Sequence, residues 1–452
     1  MYTVIMADNI GSQLINGIIS WSFLQFIIAF ISIFGFVLTS AVILVLAERK
    51  IIAWVQDRLG PIHTGPWGLL QSVADVVKLL IKEDVHAALI DRSLFLLAPS
   101  VFLAPVIAAF AVIPFSPYLQ LPGTALATGI VYYVAMSSID IVAVVMSGWS
   151  SNNKYSLIGG LRGAAQMISY ELPLVLALVG VVMLTSVLAN SGIGTISTQQ
   201  MIDYQSSSFW PGKGIPFWDF IFQGFTPWAW FFLVQPLMFV IYYICGLAET
   251  NRPPFDLPEA ESELVAGYLT EYSGMRWGLF FLGEYGNMTI VSAIAVTLFL
   301  GGWSGPGVGF LTAPGMAFGW QILGNLLGIA YFITKVYLLC FVFIWVRSTL
   351  PRLRADQLMQ FTWLILIPVT LGNIVLTALI FLILNSFGLS NLFFLIVLGI
   401  VNFIMLGGFV LIVSRATVAT TRHAQAPAIL ARRRAAAAQL PERTGVAGGG
   451  QK

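Results

Sequence analysis

Ionisable side chains are rare in this chain, so their positions are informative. Among 452 residues there are 22 Lys or Arg and 20 Asp or Glu, against 58% hydrophobic residues. Asp140, Glu171 and Glu284 fall inside long apolar runs, Glu249 ends another, and Lys335 lies within a fifth. A charge in the middle of a membrane helix costs about 2.5–3.5 kcal/mol on insertion scales, so such residues are either paired structurally or functional. Either is open for any one of them taken alone. Four carboxyl groups on consecutive apolar runs could meet in a helix-bundle interior, where they would hand protons on and form a proton or cation path. Lys335 could supply a counter-charge or join the relay.

A second concentration of acid lies outside the apolar runs. Residues 249–276 hold Glu249, Asp256, Glu259, Glu261, Glu263 and Glu271, six of the twenty carboxylates, with Arg252 and Arg276 beside them. A solvated acidic loop is the plainer reading. Pro253, Pro254, Phe255 and Pro258 make the segment stiff and partly apolar, unlike a disordered acidic tail. A stiff acidic segment clamped between two apolar runs has the makings of a built site.

Other chemistries are excluded. The sequence has no glycine-rich dinucleotide fingerprint and no P-loop. Its two cysteines, Cys245 and Cys340, lie in apolar runs, and its three histidines, His63, His86 and His423, lie outside them. Neither a disulfide framework, a metal site, a haem nor an iron–sulfur cluster is expected, nor is a bound NAD or flavin. The net charge of +2 and the lack of a basic recognition motif argue against nucleic acid.

The elements that must position these groups are helices. Nine apolar spans are predicted, at about 20–46, 94–115, 123–147, 163–188, 227–248, 277–301, 318–346, 361–385 and 391–414. The fold class is therefore an all-α polytopic membrane protein. Pro173 and Pro236 predict bends packed against protein. With nine spans, nearly all loop Lys and Arg fall on one side, with only Lys213 opposite. That places residues 1–19 in the periplasm, the C-terminus in the cytoplasm, and loops 47–93, 148–162 and 249–276 on the cytoplasmic face. Residues 20–414 form the bundle, and 415–452 a largely disordered tail. In loop 47–93, Gly60-Pro61 and Gly65-Pro66 signal turns. Leu69, Leu70, Val73, Val76, Val77, Leu80 and Ile81 then recur at helical spacing, predicting an amphipathic helix on the membrane surface. Trp210 and Trp218, in the outer segment, fit an interfacial aromatic belt.

Five stretches, in this order and at these span positions, carry a resemblance: AERKIIAWVQDRLGP, GPWGLLQSVADVVKLLIKED, KYSLIGGLRGAAQMISYELP, AETNRPPFDLPEAESELVAGYLTEYSGMRW and GEYGNM. The resemblance they carry runs from about Glu48 to Arg354, most of the chain. The chain resembles the H-subunit family of proton-pumping NADH:quinone oxidoreductase, respiratory complex I. The resemblance implies a membrane foot beneath a peripheral arm, in the bacterial cytoplasmic membrane, whose loops wall a quinone chamber for ubiquinone or menaquinone. Electrons would come from iron–sulfur and quinone-site subunits of the peripheral arm, and small membrane subunits would lie alongside. It also implies an acidic funnel onto which Glu249, Glu171, Asp140 and Glu284 map, with Asp75, Glu259, Glu261 and Glu263 joining chamber to funnel. Arg49, Arg58, Arg252, Phe255 and Arg276 are candidates for the chamber wall; the arginines are equally loop ion pairs or positive-inside anchors. Ile62 and His63 depart from the family's frequent Asn and Arg after the first Gly-Pro. The ninth span and the Arg-rich tail extend beyond the common eight-span core and could meet another subunit or anionic lipid.

Two other classes fit less well. A membrane-bound hydrogenase or related dehydrogenase uses a corresponding subunit, but the long amphipathic segment and complete acidic loop favour a quinone enzyme. A secondary transporter would show paired repeats or matched broken helices, and none is evident.

Overall fold

The computed structural model describes residues 21–85, 87–118, 121–188, 194–206, 230–258, 261–312, 318–387 and 393–415. The expectations for residues 1–19, Trp210, Trp218, Glu259 and the tail beyond Arg415 lie outside these residues. All regular structure within them is helical. The principal helices are α1 (Trp21–Val55), α2 (Gln71–Ile81), α3 (Arg92–Ala109), α4 (Gly129–Ser150), α5 (Lys154–Leu188), α6 (Pro236–Glu249), α7 (Gly274–Phe299), α8 (Phe318–Thr349), α9 (Ile367–Ser386) and α10 (Phe393–Arg415). Away from its ends a helix satisfies its backbone groups within its own segment, which lipid requires.

Eight helices among the described residues are long and apolar enough to cross a membrane. The remaining predicted span, 227–248, takes a different form. A short turn, Phe231–Val234, ends at Gln235, whose φ of −130° and ψ of 62° break the helix. α6 restarts with Pro236 at its first position, where the missing N–H costs nothing. The bend expected at Pro236 is thus a full interruption, and α6 has only 14 residues. Pro173 lies inside an unbroken α5.

α7 is the most buried of the long helices, with every residue from Gly283 to Phe299 inside. It packs against α1, α3, α6 and α8. Close approach elsewhere depends on small residues: a Cβ on Gly159 of α5 would lie 2.7 Å from Gly267 Cα in the acidic loop. α10 and the span containing α9 are the least buried. A buried pair joins them, Asn373 Nδ2 donating to Asn402 Oδ1 at 2.6 Å.

Candidate functional site: a paired node and an unpaired carboxyl cluster

The basic loops gather at one end of the bundle. Arg49, at the end of α1, pairs with Asp75 of α2. Arg276 pairs with Asp84 at 3.0 Å. Asn153 Nδ2 donates to Glu271 at 2.8 Å, and Arg162 to Glu263 at 2.7 Å. Arg352 donates to the Asp256 carbonyl. Loops 47–93, 148–162 and 249–276 therefore form one layer. The hydrogen bond and charge of Arg162 hold the exposed Glu263 carboxyl below its ordinary range. Burial pushes the Tyr272 phenol up to about 12; its ring stacks on Phe95 at 4.1 Å. α2 is amphipathic as expected, with Leu69, Leu70, Val73, Val76, Val77, Leu80 and Ile81 all exposed on this chain.

The start of the acidic segment is pinned from α5. Gln166, fully buried, donates through Nε2 to Ala248 O at 2.8 Å and Phe255 O at 2.6 Å. Phe255 is buried edge-on against Tyr170 at 5.4 Å. These contacts fold residues 249–258 back over the bundle and carry Arg252 inward.

Arg252 is 5% exposed, Glu284 5% and Glu48 7%. The Arg252 guanidinium lies 3.8 Å from Glu48 and 3.5 Å from Glu284. Arg347, from α8, donates to the other oxygen of Glu48. Tyr285 OH donates to Glu48 at 2.8 Å, and Tyr268 OH to Glu284 at 3.1 Å. The Arg252 guanidinium also sits 4.3 Å from the centre of the Tyr285 ring. Two cations thus face two anions, so the node is neutral despite its burial.

One turn further along α7 the balance changes. Asn287 Nδ2 donates to Asp140 Oδ2 at 2.7 Å. A cavity of about 10 Å³, the size that admits one water molecule, is lined by Asp140, Glu249, Asn287, Ser137 and Tyr133. Asp140 Oδ1 and Glu249 Oε2 are buried and accept no hydrogen bond from the described protein groups. Ser138 donates to Glu171 on the neighbouring helix. Among the described residues, no Lys or Arg forms an ion pair with Asp140, Glu171 or Glu249. Asp140 and Glu249 therefore bring two buried carboxyl groups to one cavity with no described cation beside them. Tyr133, which lines the cavity, brings its hydroxyl to 3.5 Å from that of Tyr242.

The expected acids thus separate. Asp140, Glu171 and Glu249 share the unpaired cluster, and Glu284 belongs to the paired node. Asp75 and Glu263 lie in the loop layer. Glu261 opens a short helix, Glu261–Leu264. Of the candidate chamber residues, Arg49 and Arg276 are loop ion pairs, Arg252 and Phe255 are buried, and Arg58 is exposed, donating to Gln56 at 2.8 Å. Glu48, Arg347, Gln166, Asn287 and four tyrosines, Tyr133, Tyr242, Tyr268 and Tyr285, are further members of the site. Lys335 is far from all of them in its bonding: its ammonium meets backbone carbonyls at the opposite end of α7.

Together, the fold and site define a polytopic membrane protein with a buried, partly unpaired acid chain leading inward from one loop layer. Residues 28–378 match the family described as NADH dehydrogenase. The chain is 42% identical over 392 residues to the NADH-quinone oxidoreductase H subunit of Dehalococcoides mccartyi, covering 87% of this chain and 95% of that one. It is 46% identical to one of the NADH-quinone oxidoreductase H subunits of Geobacter metallireducens, covering 76% and 93%. For the H subunit of Anoxybacillus flavithermus the identity is 43%, covering 74% and 88%. The chain belongs to the NADH dehydrogenase family.

Proposed function

We propose that this chain is the membrane subunit of a bacterial NADH-quinone oxidoreductase that walls the quinone chamber and passes protons inward from it. The observation that carries this reading is the placement of two polar groups along α7 beneath the loop layer: Glu48, Arg252 and Glu284 at one level, and, one turn on, Asn287 with Asp140 and Glu249 around a common cavity. Reduction of a quinone to a quinol takes two electrons and two protons. The electrons come from iron–sulfur centres on partner subunits of the peripheral arm. This chain's share is to border the quinone with its loop layer, which lies on the cytoplasmic face of the inner membrane, and to answer the change of charge there. α2, with its exposed apolar face, is one wall of the entry from lipid. Arg49, Arg58 and Arg276 border the loop layer, while Asp75, Glu259, Glu261 and Glu263 carry the acidic run toward the buried acids. Arg252 and Phe255 act from beneath it.

The neutral node is the relay's switch. A proton added to Glu48 or Glu284 leaves the arginines in charge excess and draws negative charge toward them. The unpaired cluster can supply it by releasing a proton. This is coupling between two sites, not bond chemistry on the chain.

Purification of the tagged chain from its native membranes in mild detergent is the test. NADH-oxidising and iron–sulfur subunits are expected to accompany it, with inhibitor-sensitive quinone reduction. Replacing Glu249 or Glu171 by Gln is expected to lower pumping while leaving the complex assembled. Hydrogenase subunits in its place, or a lone chain, would refute the assignment. Parental pumping in both Gln variants would refute the relay.

A further inference from the structure

The outer end of α7 presents a buried problem that one side chain from α8 resolves. The last carbonyls of any helix lack an intrahelical partner. Here the chain turns sharply after Phe299: Leu300 caps the helix, and Gly301 and Gly302 follow at φ of 69° and 55°. That conformation favours glycine. A Cβ on Gly302 would also lie 2.2 Å from Ile202 Cδ1. Gly302 N–H returns to Val296 O at 2.9 Å. The turn aims the carbonyls of Leu300, Gly302 and Ser304 at one point, with residues 301–304 all buried.

Lys335 Nζ occupies that point. It donates to Leu300 O at 2.8 Å, Gly302 O at 3.0 Å and Ser304 O at 2.8 Å. Its three protons meet three acceptors, and the Trp230 ring covers it at 4.4 Å. Gln205 takes the adjoining groups. Its Nε2 donates to Thr297 O at 3.3 Å and Leu298 O at 3.2 Å, and its Oε1 accepts from Gly301 N at 3.0 Å. A cup of carbonyls at this spacing is also how proteins hold a dehydrated monovalent cation. The cation here is tethered, and it sits at the negative end of the helix dipole.

We infer that Lys335 is a positioning residue: its ammonium, acting as a tethered monovalent cation, locks the outer end of α7 and so fixes the axial placement of Glu284, Tyr285 and Asn287. A helix is stiff along its axis, so a slip at the cap reaches the acids at the other end almost undiminished. The Asn287–Asp140 bond, at 2.7 Å, has no slack for such a slip. The consequence for turnover rests on the function proposed above; the cup and its occupant do not.

The test uses the whole purified complex. Lys335→Met keeps the length of the side chain and removes its charge. Quinone reduction is expected to fall about tenfold or more, the scale at which small misplacements act, while NADH oxidation by ferricyanide, which needs no quinone, stays at the parental rate. Lys335→Arg is expected to restore most of the loss, since a guanidinium also donates to carbonyls. In Lys335→Ala, ammonium or methylammonium added at constant ionic strength is expected to restore turnover, and tetramethylammonium, which has no N–H, is not. Parental quinone reduction in an assembled Lys335→Met complex would overturn the inference. So would an Arg variant as deficient as the Met variant. If the Met and Ala chains fail to accumulate, the Arg variant decides: accumulation with turnover supports the role, and its absence refutes it. Should the parental chain itself bring no NADH-oxidising subunits, the proposed function fails, and that result is separate from any behaviour of Lys335.

Discussion

Asn287 reaches Asp140 from a position one turn beyond Glu284, so a single face of α7 touches both the paired node and the unpaired cluster. The amide is the only described side chain hydrogen-bonded to Asp140, and it is neutral, so it can follow a change of charge on either side without adding one. Asn287→Leu keeps the volume and removes the donor. A hydrogen bond to a charged group is worth about 1.5–3 kcal/mol, which corresponds to a roughly ten- to hundredfold change in an equilibrium. Proton pumping per quinone reduced is expected to fall in this variant, with NADH oxidation by ferricyanide unchanged. The ratio measured in sealed vesicles checks it, and an unchanged ratio would remove Asn287 from the path.

Arg252 faces two buried carboxylates, and the neutrality of the node depends on it. Arg252→Met leaves Glu48 and Glu284 with Arg347 as the sole remaining cation of the node. Removing one partner of a buried pair typically costs about 3–5 kcal/mol. The complex is expected to lose thermal stability and quinone reduction together. The double variant Arg252→Met with Glu284→Gln is expected to recover stability but not pumping, because it restores neutrality and deletes an acid. Melting curves and pumping assays on the two proteins separate the contributions.

Eight of the nine predicted apolar spans and the amphipathic helix α2 are legible in the sequence, because each is a local pattern. The division of the acids into two groups is not. It depends on which cation stands beside which anion, and Glu48 meets Arg347 across 299 residues of chain. Which of its three readings Arg252 takes (chamber wall, ion pair or anchor) is not local either: nothing in the sequence shows that Gln166 folds its segment inward. Gln166 and Asn287 carry no charge and gave no signal within apolar helices. Lys335 did give a signal, but its partners are backbone carbonyls, which no pattern of side-chain types reveals. The interruption at Gln235 was half visible, through Pro236.

Glu263 and Arg162 tie the acidic loop to α5 at 2.7 Å, on the exposed surface. The arginine lowers the carboxyl's pKa in the folded chain. A group whose folded pKa is depressed contributes stability above its unfolded value, about 4.3 for Glu, and loses it as the pH falls through the folded value. The loop is therefore expected to hold to α5 at neutral pH and to loosen on acidification below about pH 4.3. Hydrogen exchange at residues 261–272, followed from neutral pH downward, reports it. Glu263→Gln is expected to flatten that part of the pH dependence, and high salt to weaken it in the parent, since the pair is exposed. An unchanged acid profile in the Gln variant would show that another group governs the loop.

α10 is held by amides. Asn373 donates to Asn402 at 2.6 Å, Asn402 Nδ2 donates to Leu398 O at 3.1 Å, and Thr377 donates to Asn373 Oδ1 at 3.2 Å. Apolar side chains gain little by leaving lipid for another helix, so polar contacts contribute much of the specificity of docking. Each such bond is worth about 0.6 kcal/mol on average, and about 1.7 at most. Asn402→Leu is expected to loosen α10 by about that amount and leave the acid path, which lies on other helices, intact. A cysteine pair introduced across the α9–α10 contact should crosslink less readily in the Leu variant, at unchanged quinone reduction. If quinone reduction falls along with crosslinking, α10 takes part in more than its own docking, and the acid path extends to the edge of the bundle.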